Sequence, residues 1–365
     1  MKVPYVNLNK QYLEEREDLI KIFDRVLKTG NYISGEFVNE FEENIAKYCC
    51  SKYCVGFNSG TDALTIALFI LGVRRGDEVI TTPNSFIASA SAIIHLGATP
   101  VFVDVLDDQN INPELIEEKI TEKTKVIMPV HLTGRVCKME KIIKIAKKRH
   151  IKVIEDAAQA IGSKYNNKFS GTFGDIGCFS AHPLKNLNAV GDSGYFITNS
   201  KKIYDQAKLL RSHGMVNRNI VKHFGYVSRM DNLQAAILNY RLKKLPEVIE
   251  KRRKNASLYF NLIDKKKVFI PIEKKEEFNS YHTFVIQVRK RDKLIEFLQK
   301  KKINTSIHYP TPIHLQPAAK RLGYKKGDFI NAENQSKKIL TLPINQFLTS
   351  DMIKFISRTI NQFYN

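Results

Sequence analysis

From Tyr53 onward the chain repeats one unit, a short apolar β-rich run followed by a helical stretch, and this repetition leaves few folds open. Runs at residues 53–57, 78–82, 100–103 and 125–130 precede helical stretches at 62–71, 87–95, 113–120 and 138–150, and a further run occupies 152–155. Strands that are apolar throughout must be covered on both faces, which a mostly parallel sheet with helices on either side achieves. Two more runs, at 176–180 and 194–198, extend that sheet. The rhythm stops at a long helical stretch over roughly 229–262. Beyond it, strands at 281–288 and 303–308 with helices between and after predict a smaller α+β unit. The expected fold class is therefore α/β, with a large domain over residues 1–240 and a small C-terminal domain over 241–365.

Composition narrows the function. The net charge of +21 invites a nucleic-acid reading, but residues 1–240 hold 31 basic and 26 acidic side chains, whereas 241–365 hold 27 and 11. The excess is confined to the C-terminal third, in runs such as Lys265-Lys266-Lys267 and Lys300-Lys301-Lys302. Basic residues beside apolar positions at helical spacing are the pattern of a solvated helix face, so no nucleic-acid partner is expected. The longest apolar run, 63–73, is well short of the roughly 20 residues a bilayer span needs. A charged N-terminus without an apolar core predicts no signal peptide and a cytoplasmic protein. Cys49, Cys50, Cys54, Cys137 and Cys178 lack zinc spacing and read as reduced, mostly buried thiols, with no metal expected.

Ligands of open parallel sheets bind where strands end and helices begin. At the first such junction, Asn58-Ser59-Gly60-Thr61-Asp62 combines a permissive glycine, hydroxyls and a helix N-terminus, which suits a phosphate. An ordinary N-cap explains the same residues. At the second, Phe86 in Thr82-Pro83-Asn84-Ser85-Phe86 is either core or a plate for a flat ligand. The third ends an apolar strand on Glu155 and Asp156, followed by small residues and Gln159; a buried Asp there caps the next helix or meets a ligand. The fourth sets Lys185 among apolar and small residues, before Gly191-Asp192-Ser193-Gly194. Most lysines are surface charges, but desolvation lowers an amine's pKa and makes it a nucleophile toward a carbonyl. A phosphate cradle, an aromatic plate, a buried carboxylate and a masked lysine together are what a pyridoxal phosphate site requires.

These motifs, in this order, resemble the DegT/DnrJ/EryC1/StrS sugar aminotransferases, a branch of the fold-type I pyridoxal phosphate enzymes. The resemblance runs from VPYVNLNKQY and TGNYISGEFVNEFE through NSGTDAL, TPNSFIASASAI, GATPVFVDV, PVHLTGR, EDAAQAIGS and GDIGCFSAHPLKNL to HYPTPIHLQP and TLPINQFL. It implies that Lys185 carries pyridoxal 5'-phosphate as a Schiff base and shuttles the proton, with pyridoxamine phosphate as the intermediate form. It implies that Asp156 pairs with the ring nitrogen, Gln159 meets the ring hydroxyl, Phe86 stacks on the ring, and Gly60, Thr61 and Ser180 hold the phosphate. One relative carries His in place of the lysine and dehydrates sugars; Lys185 favours amino transfer. The implied partners are an amino acid donor, commonly L-glutamate, and a nucleoside-diphosphate keto-deoxysugar, within a homodimer whose active sites lie at the interface.

The segment 308–316 resembles members that aminate the third carbon of the sugar, with His308 and Tyr309 facing it; a Pro-stiffened loop is the alternative. Three departures stand out. Val227 replaces an Asn that reaches the neighbouring subunit's cofactor phosphate, leaving Ser228 or Arg229 to supply the contact. Asn188 stands where Gly is common, and Thr133 where Tyr is frequent. Arg229 is also a candidate for substrate binding, and with Arg218 and Lys222 for attracting anions. The alternatives are an acceptor that is a non-nucleotide keto-sugar or phosphorylated ketone, and a catalytically inactive basic nucleic-acid-binding or regulatory protein on the same fold.

Overall fold

The computed structural model describes all 365 residues. Seven strands form the central sheet: β1 (Tyr53–Phe57), β2 (Glu78–Thr81), β3 (Thr99–Phe102), β4 (Thr124–Ile127), β5 (Lys152–Asp156), β6 (Ile176–Ser180) and β7 (Gly194–Thr198). Their order is β1-β7-β6-β5-β4-β2-β3, and only β7 runs antiparallel to its neighbours. Strand alternation divides the apolar residues between two cores. Val55, Phe57, Cys178 and Phe196 face the helix Gly60–Ile70, whereas Cys54, Phe179, Tyr195 and Ile197 face the helices Glu36–Tyr48 and Asn232–Leu262. Phe179 and Tyr195 stack at 5.0 Å, and full burial of such a ring contributes about 1.5–3 kcal/mol.

A second sheet, of β8 (Val268–Phe269), β9 (Phe284–Val288) and β10 (Ile339–Leu342), is antiparallel and packs with the helices Arg291–Lys300 and Ser350–Tyr364. The long helix Asn232–Leu262 joins the two cores: Leu238, Leu245 and Ile249 lie in the first, Ala256 and Tyr259 in the second. Val3 lies in the C-terminal core too, bridged to Ile303, so the chain's first residues pack with its last third.

Some expected elements differ. The helix expected at 113–120 is two short 3-10 turns, Pro113–Leu115 and Glu117–Lys119, the first capped by Asn112. The strand expected at 303–308 is absent. Ile303 pairs with Val3 while Ser306 pairs with Thr341, so successive residues bond to different partners and no ladder forms. The long helix starts at Asn232, because Asp231 is engaged in a bridge with Ile33.

Candidate active site

The carboxyl ends of β1, β2, β4, β5 and β6 open on a cavity of about 320 Å³, whose lining is completed by residues distant in sequence, Tyr5, Arg252, His282, Thr283, His308 and Tyr309. Gly60, Thr61, Phe86, Asp156, Gln159, Ser180, Lys185, His308 and Tyr309 all line it. Four sheet-end motifs read separately in the sequence thus meet in one space.

At the end of β1, Ser59 caps the following helix, its Oγ accepting from the Asp62 N–H at 3.1 Å. The cap is real and does not exhaust the site, because the first-turn N–H groups at Gly60 and Thr61 have no helical acceptor. Gly60 is required by close approach: a Cβ there would lie 2.8 Å from Ser180 Cβ. Nearby, the buried Ser193 hydroxyl has no partner in the protein.

Glu155 and Asp156 are adjacent, and the strand's period of two separates their fates. Glu155 is fully buried away from the cavity, accepting from the N–H groups of Gly171, Phe173 and Gly174 and pairing with His131 at 2.8 Å. Because His131 Nδ1 accepts from the Cys137 N–H, its Nε2 donates to Glu155. Asp156 points into the cavity. Burial pushes its carboxyl up, opposed by the Ser89 hydroxyl, which donates to Oδ2 at 2.7 Å, and by the Ala158 N–H on Oδ1. Ser89 in turn lies 2.8 Å from the Ser85 hydroxyl.

A hydrogen bond to a charged acceptor contributes about 1.5–3 kcal/mol, so Ser89→Ala is expected to weaken cofactor affinity about 10-fold or more. Without that donor the Asp156 carboxyl ionises at higher pH, moving the acid limb of cofactor binding upward. Titration with pyridoxal phosphate across pH checks both effects, and Ser89→Thr should restore them.

Lys185 lies in the loop after β6. Its N–H donates to His182 O at 2.8 Å, and the flanking asparagines tether the loop: Asn186 to Ser280 O, and Asn188 to Pro183 O and Gln11. Asn188 thus does here what a glycine could not, tying the lysine loop to the N-terminal helix Leu8–Lys28. Burial pulls the Lys185 amine down to about 8, partly opposed by Asp156. Gln159 is oriented at both ends, Oε1 accepting from the Thr133 N–H at 2.9 Å and Nε2 donating to the Tyr309 hydroxyl at 3.2 Å. Thr133 holds this position at φ +64°, unusual for a β-branched residue. Phe86 lies 6.1 Å from the Tyr309 ring across the opening.

Arg229 is not among the residues lining its own chain's cavity, because the segment before the long helix runs outside it. Val227 is exposed and Ser228 is buried with its hydroxyl bonded to Asn58. Arg218 and Lys222 also lie outside; Lys222 borders a separate surface depression beside Phe69 and Phe224. The residues that the sequence reading missed come from the C-terminal third and the N-terminus: Tyr5, Arg252, His282 and Thr283. Arg252 sits in a run of four basic residues, Lys251 to Lys254, and nothing in that run marks it as the buried one.

A buried carboxylate and a desolvated lysine in one cavity, beside a helix N-terminus with an unpartnered hydroxyl, suit a cofactor with a basic ring nitrogen, an aldehyde and a phosphate. The residues present fit pyridoxal phosphate. Fold and cavity together place the protein among the pyridoxal phosphate-dependent aminotransferases of fold type I. More particularly, the model of the DegT/DnrJ/EryC1/StrS aminotransferase family matches residues 13–361, and the chain belongs to that family. A pleiotropic regulatory protein of Geobacillus stearothermophilus is 40% identical over 100% of this chain and 99% of its own length. The dTDP-3-amino-3,6-dideoxy-alpha-D-galactopyranose transaminase of Aneurinibacillus thermoaerophilus is 38% identical, with 99% of each chain covered. The crystal structure of S. venezuelae DesV with a ketimine intermediate superposes with a TM-score of 0.97 at 33% identity, covering 99% of this chain and 98% of that one.

Proposed function

We propose that the protein moves an amino group from an amino acid, L-glutamate in the first instance, to the third carbon of a keto-deoxysugar carried on a nucleoside diphosphate. The observation that carries this reading is the pairing of Lys185 with Asp156 in one cavity, the amine partly neutral near pH 8 and the carboxylate anchored by Ser89. Pyridoxal phosphate, when bound, supplies an electron-withdrawing ring that accepts nitrogen from one substrate and releases it to the next. Lys185 Nζ binds the cofactor and moves the proton in each half-reaction. Asp156 holds the proton on the ring nitrogen, Gln159 positions the ring hydroxyl, and Phe86 covers one face. The first-turn N–H groups at Gly60 and Thr61, with Ser180, bind the phosphate, and His308 and Tyr309 face the sugar. The choice of carbon is supported by relatives named for 3-amino sugars, among them the A. thermoaerophilus transaminase and an Acidithiobacillus ferrooxidans UDP-N-acetyl-3-dehydro-alpha-D-glucosamine 3-aminotransferase.

The same reading includes a homodimer. Its support is exposed apolar surface: Leu13, Ile20 and Leu27 recur along one helix face, Phe86 and Leu184 are exposed at the cavity, and Ile87 and Val190 are exposed beside them in sequence. Arg229 lies outside its own chain's cavity, and in such a dimer it is the residue proposed to reach the neighbouring one, where Val227 cannot supply a hydrogen bond. Cytoplasmic residence accords with five unpaired cysteines; no helix is long and apolar enough to cross a membrane. The Geobacillus relative's name does not favour a regulatory reading, since Lys185 and Asp156 both remain in place.

The test is amino transfer measured on a panel of keto-sugars with and without a nucleotide. Transfer from L-glutamate to a nucleoside-diphosphate 3-keto-deoxysugar is expected, and the same preparation should scatter light as a particle of twice 41.9 kDa. Activity indifferent to the nucleotide would refute the acceptor, and a protein that stays colourless with pyridoxal phosphate would refute the chemistry.

A further inference from the structure

Beyond β4, residues 129–135 run buried through the protein without joining a strand, and their only regular feature is a 3-10 turn at Leu132–Gly134 interrupted by the left-handed Thr133. Buried backbone outside a ladder must still pair its N–H and C=O groups, so its partners show what the segment holds. Two of those bonds go to Asp156: its N–H donates to Pro129 O, and its carbonyl accepts from the His131 N–H, both at 2.9 Å. A third goes to Gln159, whose Oε1 accepts from the Thr133 N–H at 2.9 Å. One segment thus holds the main chain of the residue assigned to the ring nitrogen and the side chain of the residue assigned to the ring hydroxyl.

The segment is itself anchored. His131 is fully buried and does not line the cavity. Both of its ring nitrogens are engaged, Nδ1 accepting from the Cys137 N–H at 3.2 Å and Nε2 donating to Glu155 at 2.8 Å. Glu155 is held in turn, since its two oxygens also accept from the N–H groups of Gly171, Phe173 and Gly174 at 2.6–2.7 Å. Asn110, also buried, adds a second anchor: Oδ1 accepts from the Leu132 N–H at 3.0 Å and Nδ2 donates to Arg135 O at 3.2 Å. Buried polar networks that are fully paired are rigid, and a site's contacts tolerate displacements of only about 0.5 Å.

We propose that His131 and Asn110 are positioning residues that brace residues 129–135 and thereby set the spacing between Asp156 and Gln159. The proposal rests on the reading of the cavity as a pyridoxal phosphate site. It gives the Glu155–His131 pair, which reaches neither the cavity nor the surface, a part in the chemistry: the pair acts through the main chain of Asp156.

The test compares two replacements that each keep half of the histidine. Gln carries an amide N–H out to the position of Nε2 and retains the bond to Glu155, whereas Asn reaches only as far as Nδ1 and loses it. His131→Asn should weaken pyridoxal phosphate binding about 10-fold, the worth of one hydrogen bond to a charge, and Asn110→Ala roughly 5-fold. Each should lower kcat by a similar factor while KM for both substrates changes less than about 3-fold. His131→Gln should stay within about 3-fold of wild type throughout. Amide hydrogen exchange in the cofactor-free protein gives a readout that needs no activity. In His131→Asn, exchange at Thr133 and Asp156 should quicken about 10-fold, while Ile286 and Leu340, paired in the small-domain sheet, exchange as before. Exchange quickened equally in both domains would reduce the two residues to general stability and overturn the proposal, as would a His131→Gln protein no better than His131→Asn. If His131→Asn does not fold, Asn110→Ala decides by the same readouts. Wild-type protein that binds no pyridoxal phosphate overturns the reading of the cavity; a wild type that binds it, with variants that bind it equally well, overturns only the role of residues 129–135.

Discussion

Lys185→Ala is expected to abolish the visible absorbance of the cofactor-loaded protein and to lower amino transfer by about 10⁴-fold or more, since the variant loses both the attacking amine and the proton carrier. The tether of its loop by Asn186 and Asn188 does not depend on the lysine side chain, so the variant should fold and still bind pyridoxal phosphate noncovalently. Cofactor capture by the empty wild-type protein adds a test of the environment. An amine attacks only when unprotonated, and burial brings Lys185 down to about 8, so the capture rate should climb with pH and level off above about 8. A rise continuing toward the ordinary lysine value near 10.5 would show that the amine is solvated. Stopped-flow absorbance across that range reads the midpoint directly.

Asp156→Asn should cost about 10²–10³-fold in kcat, the scale found when one preorganised electrostatic contact is removed. The amide keeps the size of the side chain and can still accept from Ser89, but it carries no charge to hold a proton on the ring nitrogen. Because Asp156 also raises the lysine, its neutralisation should move the cofactor-capture midpoint below that of wild type. A fall in activity with an unmoved midpoint would mean that the two side chains do not share one field. Asp156→Glu should not rescue, since the longer arm displaces the carboxylate from the Ser89 and Ala158 donors.

The parts of the cavity legible in the sequence share a local signature. Ser59, Gly60 and Thr61, Phe86, Asp156, Gln159, Ser180 and Lys185 all end or follow an apolar strand, and position at a strand's carboxyl end is itself the signal. Strand alternation even forecasts that Glu155 and Asp156 point to opposite sides. Ser89 carries no such mark; it is one serine in an Ala/Ser helix, and its importance comes from facing a carboxylate 67 residues away. The expected strand at 303–308 failed for the same reason, because its pairing partners, Val3 and Thr341, lie at opposite ends of the chain.

Charge shows the contrast most clearly. The +21 total suggested a polymer partner and its segmental distribution a solvated surface, yet the cations lining the cavity are Lys185 and Arg252, the latter inside the run 251–254, and not Arg218 or Lys222. Periodicity and turn chemistry act over a few residues, and they determined a mostly parallel sheet, the succession of strands and helices along the chain, and the chemistry at the strand ends. Which side chains from the C-terminal third and the N-terminus close over those ends was decided only by tertiary packing. The long helix Asn232–Leu262 spans both cores, and its position between them selects one arginine of a basic run for burial. Desolvation of Lys185 was foreshadowed by its apolar and small sequence neighbours, whereas the burial that leaves Arg252 without a counter-ion is a property of the packed surrounding that no local pattern of residues encodes.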